Sequence, residues 1–293
     1  MLGNIFYISL IGKDLNMKNE AIFEYYFKND VLSPTGDTEI FKKLAQDSVY
    51  EVIKVVRGIP LFLEEHMARM RFSAKNMEIP FDCSDLSIGE KISELVELNQ
   101  APNNNVKIIC DRDDIFLTYM VKSHYPAKNY YEKGVHTVLY EGERENPNLK
   151  TLKDAFKNRV KALTQKEKAR EALLVNKDGF ITEGARSNIF FVLGNTIYTP
   201  PADSVLHGIT RKYILKICTA KGFDVQEKLL NIDVIKDLKG AFLTGTSIGF
   251  LPIASIGDIK IDSVKEPYLK EIINCFDQTM EDYISDVKKK TKK

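Results

Sequence analysis

Apolar residues recur along the chain with two periods, and the places where the period changes mark its elements. Between Val52 and Val56, β-branched residues build a strand that turns at Arg57-Gly58 and leads into a helix over Phe62 to Met70. Ile88, Ile92, Leu95 and Val96 fall at i, i+4, i+7 and i+8, one face of a helix whose other face carries Glu90, Lys91, Glu94 and Glu97. Val106 to Cys110 and Val135 to Tyr140 read as strands of the same N-terminal unit. The second half opens with a helix from about Leu152 to Ala169. A hairpin follows, with Ala172 to Val175 and Phe180 to Thr182 flanking an Asp178-Gly179 turn. Gly194-Asn195 turns Ile189 to Val192 into Thr196 to Tyr198, and Pro200-Pro201 stops the pairing. Gly208-Ile209-Thr210 opens a helix with Tyr213, Ile214, Ile217 and Cys218 on its apolar side, ended by Gly222.

This order predicts an α+β protein of two domains. A smaller α/β domain is expected over 1–140, an acidic linker over 141–149 closed by Asn146-Pro147-Asn148, and a larger domain of antiparallel sheet and helices over 150–287. Residues 288–293 read as a frayed, solvated basic tail. The apolar run Asn4 to Ile11 reads as a first strand, not a signal peptide, because no basic region precedes it and Gly12-Lys13-Asp14 interrupts it. The aromatic cluster Phe23 to Phe27 reads as core packing.

Composition narrows the function classes. The 293 residues carry a net charge of +1, too weak a field to gather nucleic acid or an anionic membrane. Cys83, Cys110, Cys218 and Cys275 form no CxxC pair and no metal-ligand spacing against the four histidines, so reduced thiols in a cytoplasmic protein without a metal are expected. No segment approaches the roughly 20 apolar residues that span a bilayer.

Three places look more specialised than a fold requires. In Leu206-His207-Gly208-Ile209-Thr210-Arg211, a glycine at a helix entrance leaves free N–H groups and the helix dipole facing an anion, although ordinary capping gives the same pattern. In Leu243-Thr244-Gly245-Thr246-Ser247, a strand runs into hydroxyls and a glycine suited to phosphate or carboxylate oxygens, or to a solvated turn. In Thr182-Glu183-Gly184-Ala185-Arg186-Ser187-Asn188, a carboxylate ends a strand, as a partner for a cation or as a loop residue.

Read together from about Val49 to Asp258, these fragments resemble the class IV aminotransferases, the fold-type IV pyridoxal-phosphate enzymes. The matching motifs are Tyr50-Glu51, His66-Met67-Ala68-Arg69, Asn148-Leu149-Lys150-Thr151-Leu152, Glu183 to Asn188, Gly208 to Arg211 and Thr244-Gly245-Thr246, in the family's order. The resemblance implies pyridoxal 5'-phosphate as cofactor, carried as a Schiff base on Lys150, which then moves a proton. It further implies that Glu183 keeps the pyridinium nitrogen protonated and that Arg69, Gly208, Ile209, Thr210 and Thr246 hold the phosphate. Ser187 and Asn188 would support that side, and Leu206 would pack on the ring. Lys153 stands three residues beyond Lys150, but Leu149 and Thr151-Leu152 match the family's flanks, and Lys153 heads the following helix. The cofactor serves as an electron sink only with a cationic ring nitrogen, which a nearby carboxylate favours.

The resemblance also implies a homodimer acting on an amino acid and a 2-oxo acid, its site built partly from a loop of the neighbouring subunit. Val49-Tyr50-Glu51-Val52-Ile53-Lys54 is similar to the D-amino-acid branch, which makes Tyr50 the candidate for the substrate carboxylate, with Thr246 and Ser247 beside it. That branch carries an Arg-x-His pair after the strand ending near Cys110, whereas here Arg112 is followed by Asp113-Asp114, and His124 reads as a loop residue. Branched-chain aminotransfer stays open. So does 4-amino-4-deoxychorismate lyase activity, through the stretch Arg144 to Lys150, and so does a non-catalytic binding protein on the same fold.

Overall fold

A computed structural model describes residues 20–36, 39–123, 125–152 and 157–291. The expected first strand at Asn4 to Ile11, His124 and Lys153 lie outside the described residues.

The N-terminal half contains β1 (Tyr25–Lys28), β2 (Val31–Pro34), β3 (Val49–Val56), β4 (Ile59–Pro60), α1 (Leu63–Asn76), α2 (Asp85–Leu98), β5 (Asn104–Cys110) and β6 (Phe116–Val121). Its strands pair antiparallel in the order β2-β1-β6-β5-β3-β4. Arg57 and Gly58 both have positive φ, 52° and 80°, the backbone of the tight turn that folds β3 onto β4. Strict alternation in β3 buries Val49, Ile53 and Val55 in one core with Leu63, Met67 and Met70 of α1 and Ile88, Ile92, Leu95 and Val96 of α2. The helix face expected from the sequence is thus the buried face of α2, whose start is capped by Ser84 Oγ accepting from Ser87 N–H at 3.1 Å.

The second half contains α3 (Lys128–Lys133), β7 (Val135–Glu141), α4 (Lys157–Lys166), β8 (Glu171–Val175), β9 (Phe180–Gly184), β10 (Asn188–Leu193), β11 (Thr196–Thr199), α5 (Ile209–Ala220), β12 (Val225–Glu227), β13 (Leu230–Asn231), β14 (Leu238–Gly245), β15 (Gly249–Ile256), β16 (Ile259–Lys260) and α6 (Pro267–Thr291). Among the described residues, the second sheet runs β12-β11-β10-β14-β15-β7-β8-β9-β13, with β16 paired to β15. Both expected hairpins, β8–β9 and β10–β11, are present. On one face, Phe190, Phe242 and Phe250 stack across β10, β14 and β15 beneath α5 and α6.

Two expectations change. The sequence places Val135 to Tyr140 with the N-terminal strands, but β7 pairs parallel with β8 and β15 in the second sheet. Local alternation specifies a strand's faces and says nothing of its partners; a parallel pair needs a long crossover, here the segment carrying α4. The basic tail is not frayed through its length, because α6 continues to Thr291. Lys288, Lys289 and Lys290 lie in its last turn, where cations suit the helix dipole. All four cysteines are free, and burial pushes the Cys110 and Cys218 thiols up to about 12, so neither is a nucleophile near neutral pH.

Gly134 joins α3 to β7 at φ +77°, and a Cβ there would stand 2.8 Å from the Ala254 nitrogen of β15. Gly222 has a similar φ of +69° with open space around it. Gly134→Ala is therefore expected to cost about 2–4 kcal/mol by urea unfolding and Gly222→Ala about 1–2 kcal/mol. Equal losses would show that the approach of β15 is not what requires the glycine.

Candidate active site

Alternation in β3 places Glu51 on the face that otherwise carries Val49, Ile53 and Val55, and its side chain is fully buried. A carboxylate there is tolerable only if paired and hydrogen-bonded. His66, Arg69 and Ser73 fall at i, i+3 and i+7 on α1, hence on one face, and all three are buried. Arg69 meets Glu51 with one edge of its guanidinium, Nε to Oε1 at 2.6 Å and Nη2 to Oε2 at 2.7 Å. His66 Nδ1 lies 2.9 Å from Oε2. An ionised carboxylate only accepts, so His66 is the donor. Burial would raise the Glu51 carboxyl, but Arg69 and His66 outweigh it and hold it well below the usual range. Burial keeps His66 below its ordinary value as well, so its ring is neutral.

The same helix face carries two further bonds. Arg69 Nη1 donates to the His207 carbonyl at 2.9 Å, which brings the guanidinium to the start of α5. Ser73 Oγ accepts from Lys150 N–H at 3.3 Å, while the Lys150 carbonyl accepts from Tyr50 N–H at 3.0 Å. Thr151 bridges Val49, so the lysine segment lies along β3. Asn148 anchors it from the other side, donating to the carbonyls of Ala202, Asp203 and Val205. Lys150 Nζ sits 4.6 Å from the centroid of the Tyr50 ring. Lys150, followed by Lys107 and Arg144, outweighs the burial of Tyr50 and lowers its hydroxyl below the ordinary phenol value.

At α5, the N–H groups of Ile209, Thr210 and Arg211 precede the first internal helical bond, Lys212 N–H to the Gly208 carbonyl, and no side chain caps the end. A Cβ on Gly208 would collide with Asn188 Oδ1, whose Nδ2 donates to the Leu206 carbonyl at 2.9 Å. His66, Ile209, Thr210 and Thr246 line one cavity. Two residues before Thr246, Thr244 Oγ1 is buried with no hydrogen-bond partner among the described residues.

Glu183, next to last in β9, is 3% exposed and pairs with Arg144 Nε at 2.8 Å. Its Oε2 accepts from Leu206 N–H at 3.2 Å. Burial pushes this carboxyl up to about 7, against the pull of Arg144 and Lys150.

The structure thus brings together Lys150 with Tyr50, Glu183 with Leu206, Asn188 with Gly208, Arg69 with the start of α5, and Ile209, Thr210 and Thr246 around one cavity. Two residues turn to other partners: Ser187 Oγ faces the buried Glu171 at 3.5 Å, and Ser247 Oγ accepts from Asn105 at 2.8 Å. From the sequence, Arg144 stands out only as part of the stretch Arg144 to Lys150, and Lys107 carries no motif. The signal for Lys107 was a lone charge inside the apolar strand Val106 to Cys110.

Residues 48–256 match the family model of amino-transferase class IV. A D-alanine aminotransferase of Bacillus licheniformis is 30% identical over 241 residues, covering 74% of this chain and 81% of that protein. A Rickettsia conorii protein named a probable branched-chain-amino-acid aminotransferase is 28% identical over 260 residues, covering 77% of this chain and 86% of its own. The crystal structure of the Escherichia coli branched-chain amino acid aminotransferase, 20% identical, matches in fold with a TM-score of 0.78 over 88% of this chain and 95% of that one. The matched span runs from the start of β3 to the end of β15 and so holds the lysine segment, both buried carboxylates and the start of α5. The chain belongs to the class IV aminotransferase family.

Proposed function

We propose that the protein is a pyridoxal-phosphate-dependent aminotransferase that moves an amino group between an amino acid, D- or branched-chain, and a 2-oxo acid, acting as a homodimer. The observation that carries the reading is the pairing of a helix start at α5, met by Arg69, with a separate buried carboxylate, Glu183, whose charge feels a lysine held by its backbone. The donor set suits the cofactor. Arg69, the free N–H groups of Ile209 and Thr210 and the hydroxyls of Thr210 and Thr246 match a phosphate, and Gly208 lets Asn188 pack against the helix start. Bound there, the cofactor supplies a cationic ring that draws electrons from the substrate Cα.

The chain's residues do the rest. Lys150 Nζ takes the Cα proton and returns it, and its backbone bonds to Tyr50 and Ser73 fix where that atom can reach. Glu183 holds a proton on the ring nitrogen; a carboxyl poised near neutrality is well matched to share one. Tyr50, its hydroxyl made more acidic by the cations around it, is the donor offered to the substrate carboxylate.

Reduction of the loaded protein with borohydride is expected to leave the cofactor's mass on the peptide at Lys150, and Lys150→Ala to lose about three orders of magnitude or more in turnover. An adduct on Lys153 would move the assignment. The reaction class is tested with a panel of 2-oxo acids against the aminated form of the loaded enzyme. Turnover with at least one supports aminotransfer, whereas none, together with pyruvate release from aminodeoxychorismate, establishes the lyase.

Glu183 makes a separate prediction for the cofactor-free protein. With the folded carboxyl at about 7 and the ordinary value at 4.5, the folded state binds the extra proton between them, so stability falls as pH rises through that window. The loss should approach roughly 3 kcal/mol by pH 8 and be missing from Glu183→Gln. Parallel stability curves for the two proteins between pH 5 and 8 would refute it.

A further inference from the structure

All seven residues of β5 are buried, and Lys107 stands in the middle of them at 6% exposure. Register places Val52, Lys107 and Tyr119 opposite one another on β3, β5 and β6, hence on one face of the sheet, and Tyr50 shares that face two residues along from Val52. Lys107 Nζ lies 4.9 Å from the centroid of the Tyr50 ring that Lys150 also approaches. The two ammonium groups are therefore separated by no more than the sum of two ring contacts. A substrate attached beside Lys150 and carrying a second carboxylate would find Lys107 within side-chain reach.

That cation is already occupied. Glu20 Oε2 lies 2.5 Å from Lys107 Nζ and accepts from the Tyr119 hydroxyl at 3.0 Å. Burial raises the Glu20 carboxyl, but Lys107, Tyr119 and Lys157 outweigh it, so it stays ionised. Glu20 also precedes the family-matched span, 48–256, while Lys107, Tyr50 and Lys150 lie within it. The carboxylate comes from a part of the chain that the family pattern does not supply.

We propose that Glu20 is a specificity-determining residue: it fills the carboxylate position offered by Lys107 and Tyr119, and so selects substrates with uncharged side chains against those bearing a second carboxylate. The inference rests on the aminotransferase reading for its consequence and on the Glu20–Lys107–Tyr119 cluster for its geometry. An acidic side chain must either displace Glu20 or lie beside it unpaired, and both lower its affinity.

Glu20→Gln keeps a group that accepts from Tyr119 and removes the competing charge. The first measurement is calorimetric binding of glutarate to the cofactor-loaded protein. The second is the ratio of kcat/KM for a dicarboxylic amino donor to that for an aliphatic donor of the same configuration. A hydrogen bond between charged partners is worth about tenfold or more in affinity, so the variant should bind glutarate about tenfold tighter and raise the ratio by a similar factor, mainly through KM. The double variant Glu20→Gln/Lys107→Met should lose both gains. Unchanged glutarate affinity, an equal fall for both donors, or gains that survive in the double variant would each show that the Glu20–Lys107 pair is purely structural. If no amino acid is turned over by any form, the aminotransferase reading fails, while the glutarate titration still decides whether Glu20 guards Lys107.

Discussion

The contact between Glu51 and the Arg69 fork is where two halves of the candidate site are tied together. Glu51 occupies a core-facing position of β3, and the cost of burying it is offset because α1 presents Arg69 and His66 one turn apart on the face that packs against it. Removing one partner of such a buried pair generally costs about 3–5 kcal/mol, because the other charge is left uncompensated. The clasp therefore holds α1 at one rotation about its axis. At that rotation Arg69 still has an N–H to give to the His207 carbonyl, and Ser73 meets the backbone of Lys150. The start of α5 and the lysine segment are both met by one helix face, and one carboxylate sets that face.

The second buried carboxylate shows why the partner's geometry matters more than burial. Glu51 and Glu183 are both almost wholly withdrawn from solvent, yet the first lies far below the ordinary carboxylate range and the second is pushed up to about 7. Glu51 is gripped by two N–H groups of Arg69 and by His66. Glu183 has a single ion pair to Arg144, a residue with 20% of its side chain in solvent whose Nη2 also donates to the Ala185 carbonyl, and one backbone N–H from Leu206. One is a structural anion with its lone pairs committed. The other retains capacity for a further cationic partner.

Much of this was legible in the sequence because the signal was local. The alternation of Val52 to Val56, the helical face of Ile88 to Val96, the Asp178-Gly179 and Gly194-Asn195 turns and the glycine entry to α5 each follow from the conformational preferences of neighbouring residues. The order of six short motifs carried the family. What escaped were pairings distant in sequence. Nothing within Val135 to Tyr140 states that its neighbours are β8 and β15. Arg144 gains meaning only from Glu183 across a parallel crossover and a hairpin, and Glu20 only from a lysine two strands inside the sheet. A charged residue inside an apolar strand, as at Glu51 and Lys107, does flag such a pairing, but it does not name the partner.

The cations near Tyr50 are held with unequal strength, and the inequality bears on which of them can react. Lys107 is paired with Glu20, and Arg144 with Glu183, each at ion-pair distance in a largely buried setting. Among the described residues, Lys150 Nζ has the face of Tyr50 as its contact. A cation over a ring is worth about 0.5–2 kcal/mol, less than the cost of breaking a buried ion pair. A lysine that must exchange its bonding partner during each cycle cannot be clasped as Lys107 is. Lys150 is held instead through its main chain, with β3 and Ser73 fixing the backbone, while its terminal nitrogen rests on the weaker ring contact. Rigidity is supplied at the Cα and freedom at the Nζ, so Lys150 is set apart from its neighbours by how weakly its side-chain nitrogen is held.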